Sequence, residues 1–487
     1  MGFGRATTVP AGIAPTTGEV CSVRAPGRDS LVRKPVDIVR HSNTPSLTRS
    51  RAGTLGGTGP RCRSNGLVAQ GGVHVRERVK RTAVALAAGA LALAGAVSFV
   101  VMPATAATAA GTASAITIAD LCSCTGPEAS TISQTTDTMQ AWASWVNDHG
   151  GLAGHKVNLV VLDDGYSGAK ALANAQTAVN QDHAVAIFDN SDEDPSFASV
   201  VKGANVPVLG GQETDSGWQN SDFFPAGATF NYTNSVGAIV AKNAGVKKMS
   251  ALYCVEVAIC AESVHAGEQV AKHYGIQYVY KAGIGFAAPN YTAQCLAAKQ
   301  SGATAMTVGD ASSIVEHVVQ DCATQGYTPK QLSSDGTVAI AWLAIPAFNG
   351  NIDTQSDFLW FVHNSATSTM YAALNKYAPQ VPKGPNFGEV VLQSWSDGAL
   401  MQAAVQAAKA TSSSPVTSAL ILKGLYGLPT NETLGGLSPP LHFVKGQPAN
   451  NSCFFEMGIK NSKFVVLHNG TTICAPLVKP GTLPTSH

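Results

Sequence analysis

The chain has 487 residues, 45% of them hydrophobic and 13% charged, and its formal charge of +1 averages two unlike parts. Residues 1–81 carry 14 Lys or Arg against 4 Asp or Glu; residues 82–487 carry 18 against 27, and all 18 of those cations are lysine. An acidic chain without arginine has little to neutralise a phosphate backbone and lacks the bidentate fork that clamps carboxylates, which argues against a nucleic-acid partner and leaves backbone N–H, hydroxyl or lysine to hold an anionic group.

The length predicts two or three units. Met1 to Gly72 is rich in Arg, Ser, Thr, Pro and Gly, shows no apolar periodicity and reads as disordered. Arg76, Arg78, Lys80 and Arg81 then precede the apolar run Val84 to Met102 and the small residues of Pro103-Ala104-Thr105-Ala106. That is the order of a secretion signal over 82–109, with cleavage expected after Ala106 or Ala109. The run is also long enough to span a bilayer, so an uncleaved anchor over 84–102 is the alternative. A signal belongs at an N-terminus, so Met1 is not expected to be the true start; Val75 and Val79 are the candidate initiators, and the disordered basic extension over 1–81 would then be untranslated up to that start. The protein is expected to be extracytoplasmic, secreted or attached to the cell envelope.

From residue 115 the chain alternates strand and helix. Ala115 to Ala119 predicts a strand, and Glu128 to Asn147 a helix with Ala141, Trp142, Trp145 and Val146 on one face. The glycines of Asn147 to Gly154 end that helix. Val157 to Leu162 predicts a strand covered on both faces, which stops at Asp163 and Asp164. A helix over 167–182, a strand over 184–188, a helix over 195–204 and a strand over 206–209 follow. After Asn231 the pattern restarts: helices over 235–244, 263–274, 292–301 and 312–325 alternate with strands over 249–253, 277–280 and 303–308 and near Leu332. Phe358 to Val362 reads as extended, 367–377, 397–410 and 416–425 as helices, and Cys453 to Leu467 as two strands. This is the βαβ signature, in which ligands bind at the carboxyl ends of the strands. Asp189, Asp192, Glu193 and Asp194 could offer oxygens to a hard cation, but a solvated acidic loop is the expected reading.

Eight cysteines follow the signal, an even number that suggests disulfides in an exported chain. Eight allow about a hundred pairings; pairing of neighbours, Cys254 with Cys260, Cys295 with Cys322 and Cys453 with Cys474, is the expectation. Cys122-x-Cys124 admits a tight local bridge, two free thiols or half of a metal site. The later histidines, among them His155, His265 and His317, form no i, i+4 pair, so neither metal nor cofactor is expected.

The order of motifs resembles the type I periplasmic binding proteins of the leucine/isoleucine/valine-binding group. The resemblance runs over about residues 115–470. It is carried by a helix ending in Val146-Asn147, then Gly150-Gly151-Leu152-Ala153-Gly154-His155-Lys156, then a strand ending in Asp163-Asp164. Thr125-Gly126-Pro127, Val206-Pro207-Val208 and Thr214-Asp215 add to it. It implies an α/β fold of two Rossmann-like lobes joined by a three-crossover hinge. Lobe 1 would take 115–231 and 361–436, lobe 2 would take 232–360 and 437–478, and 479–487 would form a tail. It implies a Venus-flytrap receptor that serves an ABC permease in the membrane, as a monomer, binding an amino acid or related polar metabolite. Ser191, Gln212 and Thr214 would grip a carboxylate and ammonium, and Asp335 would receive the ammonium from the other lobe. Trp218 either walls the cleft or simply packs. Ala258-Ile259-Cys260 stands where the group has a tyrosine, Gly309-Asp310 where it has a second aromatic, and Asp335 where it has Glu, which leaves Gly309 and Asp310 at the ligand. A sensing module that signals to a membrane partner is the alternative. A secreted enzyme is disfavoured, because no G-x-S-x-G, H-E-x-x-H or G-x-x-x-x-G-K-[ST] motif occurs.

Overall fold

The computed structural model describes residues 113–211, 220–256, 258–333 and 336–474. The basic extension, the leader over 82–109 and the tail over 479–487 lie outside the described residues. β1 (Ile116–Cys122) is followed by α1 (Ala129–Ile132), α2 (Thr135–Asp148), β2 (Val157–Asp163), α3 (Gly168–Asn180), β3 (Ala186–Asn190), α4 (Asp194–Ala204), β4 (Val208–Gly210) and β5 (Phe223–Phe224). These five strands form one parallel sheet in the order β2-β1-β3-β4-β5. The direction of winding reverses between β1 and β3, which opens a crevice at their carboxyl ends.

Two local expectations change here. The helix expected over 128–147 is broken into α1 and α2 around Ser133 and Gln134. The strand expected to be covered on both faces, β2, lies at the sheet edge, with Asn158 exposed and 159–162 half-buried; β1 and β3 are the covered strands. The reversal between α2 and β2 needs Gly151 at φ +77°, where an added Cβ would strike the His155 carbonyl carbon at 2.6 Å. Trp142 of α2 is fully buried and meets Phe188 of β3 edge to face at 5.2 Å, which fixes the helix on the sheet.

The second half repeats this plan. α5 (Phe230–Asn243), β6 (Lys248–Cys254), α6 (Ala258–His273), β7 (Gln277–Ile284), α7 (Thr292–Gln300), β8 (Ala305–Gly309), α8 (Ser312–Thr324), β9 (Lys330–Ser333) and β10 (Ile352–Gln355) follow in order. After α9 (Ser365–Tyr377), α10 (Glu389–Ala407) and α11 (Ser418–Leu425) come β11 (Cys453–Ile459), β12 (Phe464–Val466) and β13 (Ile473–Cys474). The sheet order is β12-β11-β10-β9-β8-β6-β7, with β13 against β11. The run β7-β6-β8-β9-β10 reproduces the order of the first sheet, with its reversal between β6 and β8.

α9 and α10 pack on α2, and α10 also packs on β3 and β4, so residues 365–425 complete the first lobe before the chain returns to the second sheet. The chain therefore passes between two Rossmann-like lobes three times. The extended stretch expected over 358–362 is a turn: Trp360 packs edge to face on Phe387 and Phe464. The strand there is the polar Ile352–Gln355. Four sulfur pairs lie at bonding distance: Cys122–Cys124, Cys254–Cys260, Cys295–Cys322 and Cys453–Cys474.

Candidate functional site

The carboxyl ends of β1, β2 and β3 meet in a knot of hydroxyls around one carboxylate. Asp164, fully buried, accepts from Ser123 Oγ at 2.8 Å, Ser191 Oγ at 2.6 Å and the Tyr166 N–H at 2.8 Å. Ser123 Oγ in turn accepts from the Asp192 N–H, and Ser191 Oγ from the Glu193 N–H. Each loop after a strand is thus tied to its neighbour. Tyr166 follows Gly165 in the left-handed region, with φ +64°, a conformation that costs a bulky residue energy and turns its ring out of the knot. That ring meets Phe286, in the loop after β7, edge to face at 5.9 Å.

The lobes also meet through hydroxyls. The Ser312 N–H at the start of α8 donates to Thr131 Oγ1 at 3.0 Å, and Ser313 Oγ to Ser130 Oγ at 3.0 Å. Trp342 Nε1 donates to Ser312 Oγ at 3.0 Å and holds that turn in place. Between these contacts lie carboxyl groups. Glu128 is held well above the usual range, first by burial and then by the charges of Asp192 and Asp310. Burial, aided by Asp164 and Glu193, pushes Asp192 up to about 7, and burial, aided by Glu256, does the same to Asp310. Tyr166 is pushed up by burial and by the same carboxylates.

Deeper, behind β1 and β3, Asp120, Asp189 and Asp397 are buried together. Asn190 Nδ2 donates to Asp120 at 2.8 Å, and burial raises all three carboxyls, Asp120 to about 7. The acidic loop expected to be solvated is therefore folded in: Asp189 and Asp194 are each 1% exposed. Among the described residues, no three His, Cys, Asp or Glu are grouped to hold a metal ion. Disulfides stand at the ends of the corresponding strands β1 and β6, through Cys122 and Cys254.

Two Rossmann-like lobes that touch around a polar crevice at their sheet edges match a known plan. The sequence pattern of the family described as periplasmic binding protein covers residues 115–458. The chain belongs to this family. Its members are solute-binding proteins and not enzymes. A leucine binding protein, LivK, from Thermotoga maritima shares the fold at a TM-score of 0.60 and 15% identity, covering 74% of this chain and 99% of that one. A fatty acid ABC transporter substrate-binding protein from Thermomonospora curvata gives 0.63 and 16%, over 76% and 95%. A branched chain amino acid ABC transporter protein from Thermus thermophilus, with bound valine, gives 0.63 and 15%, over 72% and 95%. No protein of curated function matches the sequence. The chain is thus a ligand-binding receptor of the periplasmic binding protein family, and that family implies an extracytoplasmic location. Among the described residues, no helix is long and apolar enough to cross a membrane.

Of the residues singled out from sequence, Ser191 lies in the Asp164 knot, 1% exposed. Gly309 and Asp310 end β8 on the facing lobe; an added Cβ on Gly309 would have nothing within 4 Å. Gln212, Thr214, Trp218 and Asp335 lie outside the described residues. Sequence reasoning missed Glu128 and Tyr166. The signal available for them was position: Glu128 follows Thr125-Gly126-Pro127 after β1, and Tyr166 follows Asp163-Asp164-Gly165 after β2.

Proposed function

We propose that the protein is the extracytoplasmic receptor of an ABC importer, closing two lobes on a small polar ligand and presenting it to a membrane permease. On this reading the chain is exported by the segment over 82–109 and acts as a monomer. Lobe 1 takes 115–231 and 361–436, and lobe 2 takes 232–360 and 437–478. Ser191, Gln212 and Thr214 contact the ligand from lobe 1, with Trp218 at the wall; Gly309, Asp310 and Asp335 contact it from lobe 2. The observation that supports it most is the facing pair of sheet edges, lined by hydroxyls and carboxyls and touching at Thr131 and Ser312. A crevice with polar groups converging from two lobes is where a small ligand is enclosed. The named relatives, which bind leucine, valine or a fatty acid, support transport as the context.

A thermal-unfolding screen tests it. A ligand at a hundredfold excess over its Kd adds about 2.7 kcal/mol to stability. Mass measurement of any small molecule that co-purifies gives an independent answer. A broad set of amino acids, amines and carboxylates that shifts nothing, with nothing co-purifying, removes the receptor reading.

A further inference from the structure

Carboxyl groups from both lobes crowd the crevice. Asp310 is 7% exposed; its Oδ1 accepts the Ala311 N–H at 2.9 Å, and its buried Oδ2 has no hydrogen-bond partner among the described residues. A buried carboxylate oxygen left without a donor is costly and marks a place where a donor is expected. From the other lobe Glu128, 9% exposed, lies within electrostatic reach of Asp310, Asp192 and Glu256. The neighbouring charges that act on Asp310, from Glu256, and on Asp192, from Asp164 and Glu193, are negative. The rings of Tyr166 and Phe286 meet beside these carboxyls, and Tyr166 lies in the field of Asp192, Glu128 and Asp310.

We infer that the ligand carries a net positive charge, as a basic amino acid or a linear diamine does, and that its ammonium group sits between Asp310 and Glu128, beside the Tyr166 ring. This rests on the receptor reading above. An ammonium brings three donors, so it can satisfy Asp310 Oδ2 and Glu128 together in charge-assisted hydrogen bonds, with aromatic faces nearby to favour a cation. Asp310 and Glu128 belong to different lobes. Burial and mutual repulsion hold both carboxyls toward their protonated form; a cation between them draws both to the charged form and pairs them, so the ligand's charge itself favours the closed state. A metal ion fits less well, since the described carboxylates do not converge as a coordination set.

The test is calorimetry and thermal unfolding of the purified protein with 1,4-diaminobutane, 1,5-diaminopentane, lysine, leucine, glutamate, hexanoate and magnesium chloride. The expected result is binding by at least one of the three cationic probes. Asp310→Asn is expected to weaken that binding at least tenfold without lowering the unliganded melting temperature, because it removes a buried carboxyl oxygen that lacks a donor. Glu128→Gln serves as the second variant should Asp310→Asn not fold, with the same expected loss. Binding by leucine, glutamate or hexanoate alone overturns the inference and leaves the receptor reading standing. So does a cationic probe that binds both variants as tightly as the parent. A response to magnesium alone overturns it in favour of a metal site. Silence from every probe, with nothing co-purifying, removes both.

Discussion

Gly424 sits at the crossing of α11 over α10, and its replacement by alanine sets two effects against each other. Helix propensity alone favours Ala over Gly by about 1 kcal/mol in a helix interior. Packing opposes it, because an added Cβ would lie 2.6 Å from the Ala404 carbonyl carbon and 3.0 Å from its Cα, and closer still to the carbonyl oxygen. These are backbone atoms of a buried helix, so no side chain can swing aside and the two helices must separate. Overpacking of this kind costs about 1–3 kcal/mol or more. Gly424→Ala is therefore expected to destabilise by up to about 2 kcal/mol net. Gly237, in the interior of α5, has nothing within 4 Å of an added Cβ; Gly237→Ala is expected to stabilise by about 0.5–1 kcal/mol. Guanidinium unfolding of both variants beside the parent reads the difference as opposite shifts in midpoint. A Gly424→Ala protein as stable as Gly237→Ala would refute the close crossing.

The buried carboxyls make stability depend on pH in a known direction. Asp120, Asp189 and Asp397 are all raised by burial, so the folded state holds protons that the unfolded chain releases above a pH of about 4. Their contribution is present at low pH and lost as pH rises through about 7, the value to which Asp120 is raised. The melting temperature is expected to fall between pH 5 and pH 8, and Asp397→Asn should flatten that fall; a curve unchanged by the variant would contradict the buried triad. Replacing both Cys295 and Cys322, which link α7 to α8 across 27 residues, is expected to cost roughly 3 kcal/mol in the same unfolding assay. Thr131→Val removes the acceptor for the Ser312 N–H where the lobes touch. Leaving that buried donor unpaired costs about 1–3 kcal/mol in the closed state only, so ligand affinity measured by calorimetry should drop roughly tenfold while the unliganded melting temperature hardly changes.

The parts legible in the sequence were those where burial leaves a one-sided or continuous apolar pattern. β3, β6 and β8 are apolar runs, and α3, α4 and α8 show stripes at helical spacing, so their type could be read from residues alone. β10 could not be, because Asp353, Thr354 and Gln355 are buried polar residues and a polar tetrapeptide reads as a loop. The neighbouring Phe358 to Val362 misled in the opposite sense, since its aromatics pack from a turn. The first two turns of α10 were missed because Glu389 to Ser396 are buried all round, polar and apolar alike, so no face stands out. At the site, Asp164 and Asp310 were legible as polar residues closing strands. Glu128 and Tyr166 were not, because what gives them meaning is the proximity of the other lobe, and that depends on how the lobes close rather than on local spacing.

The threefold passage of the chain bears on how this molecule is made and unmade. Neither half is a contiguous stretch of polypeptide: the helix that packs on β3 and β4 comes from residues 389–407, and the strand that flanks β10 comes from residues 453–459. A ribosome that has reached residue 355 has delivered every strand of the first sheet but not α10, which packs on β3 and β4, nor α9 and α11, which pack on α2 and α10. Assembly must wait for the end of synthesis. A protease that cuts any single passage leaves two others holding the halves together, so a nicked receptor is expected to stay in one piece.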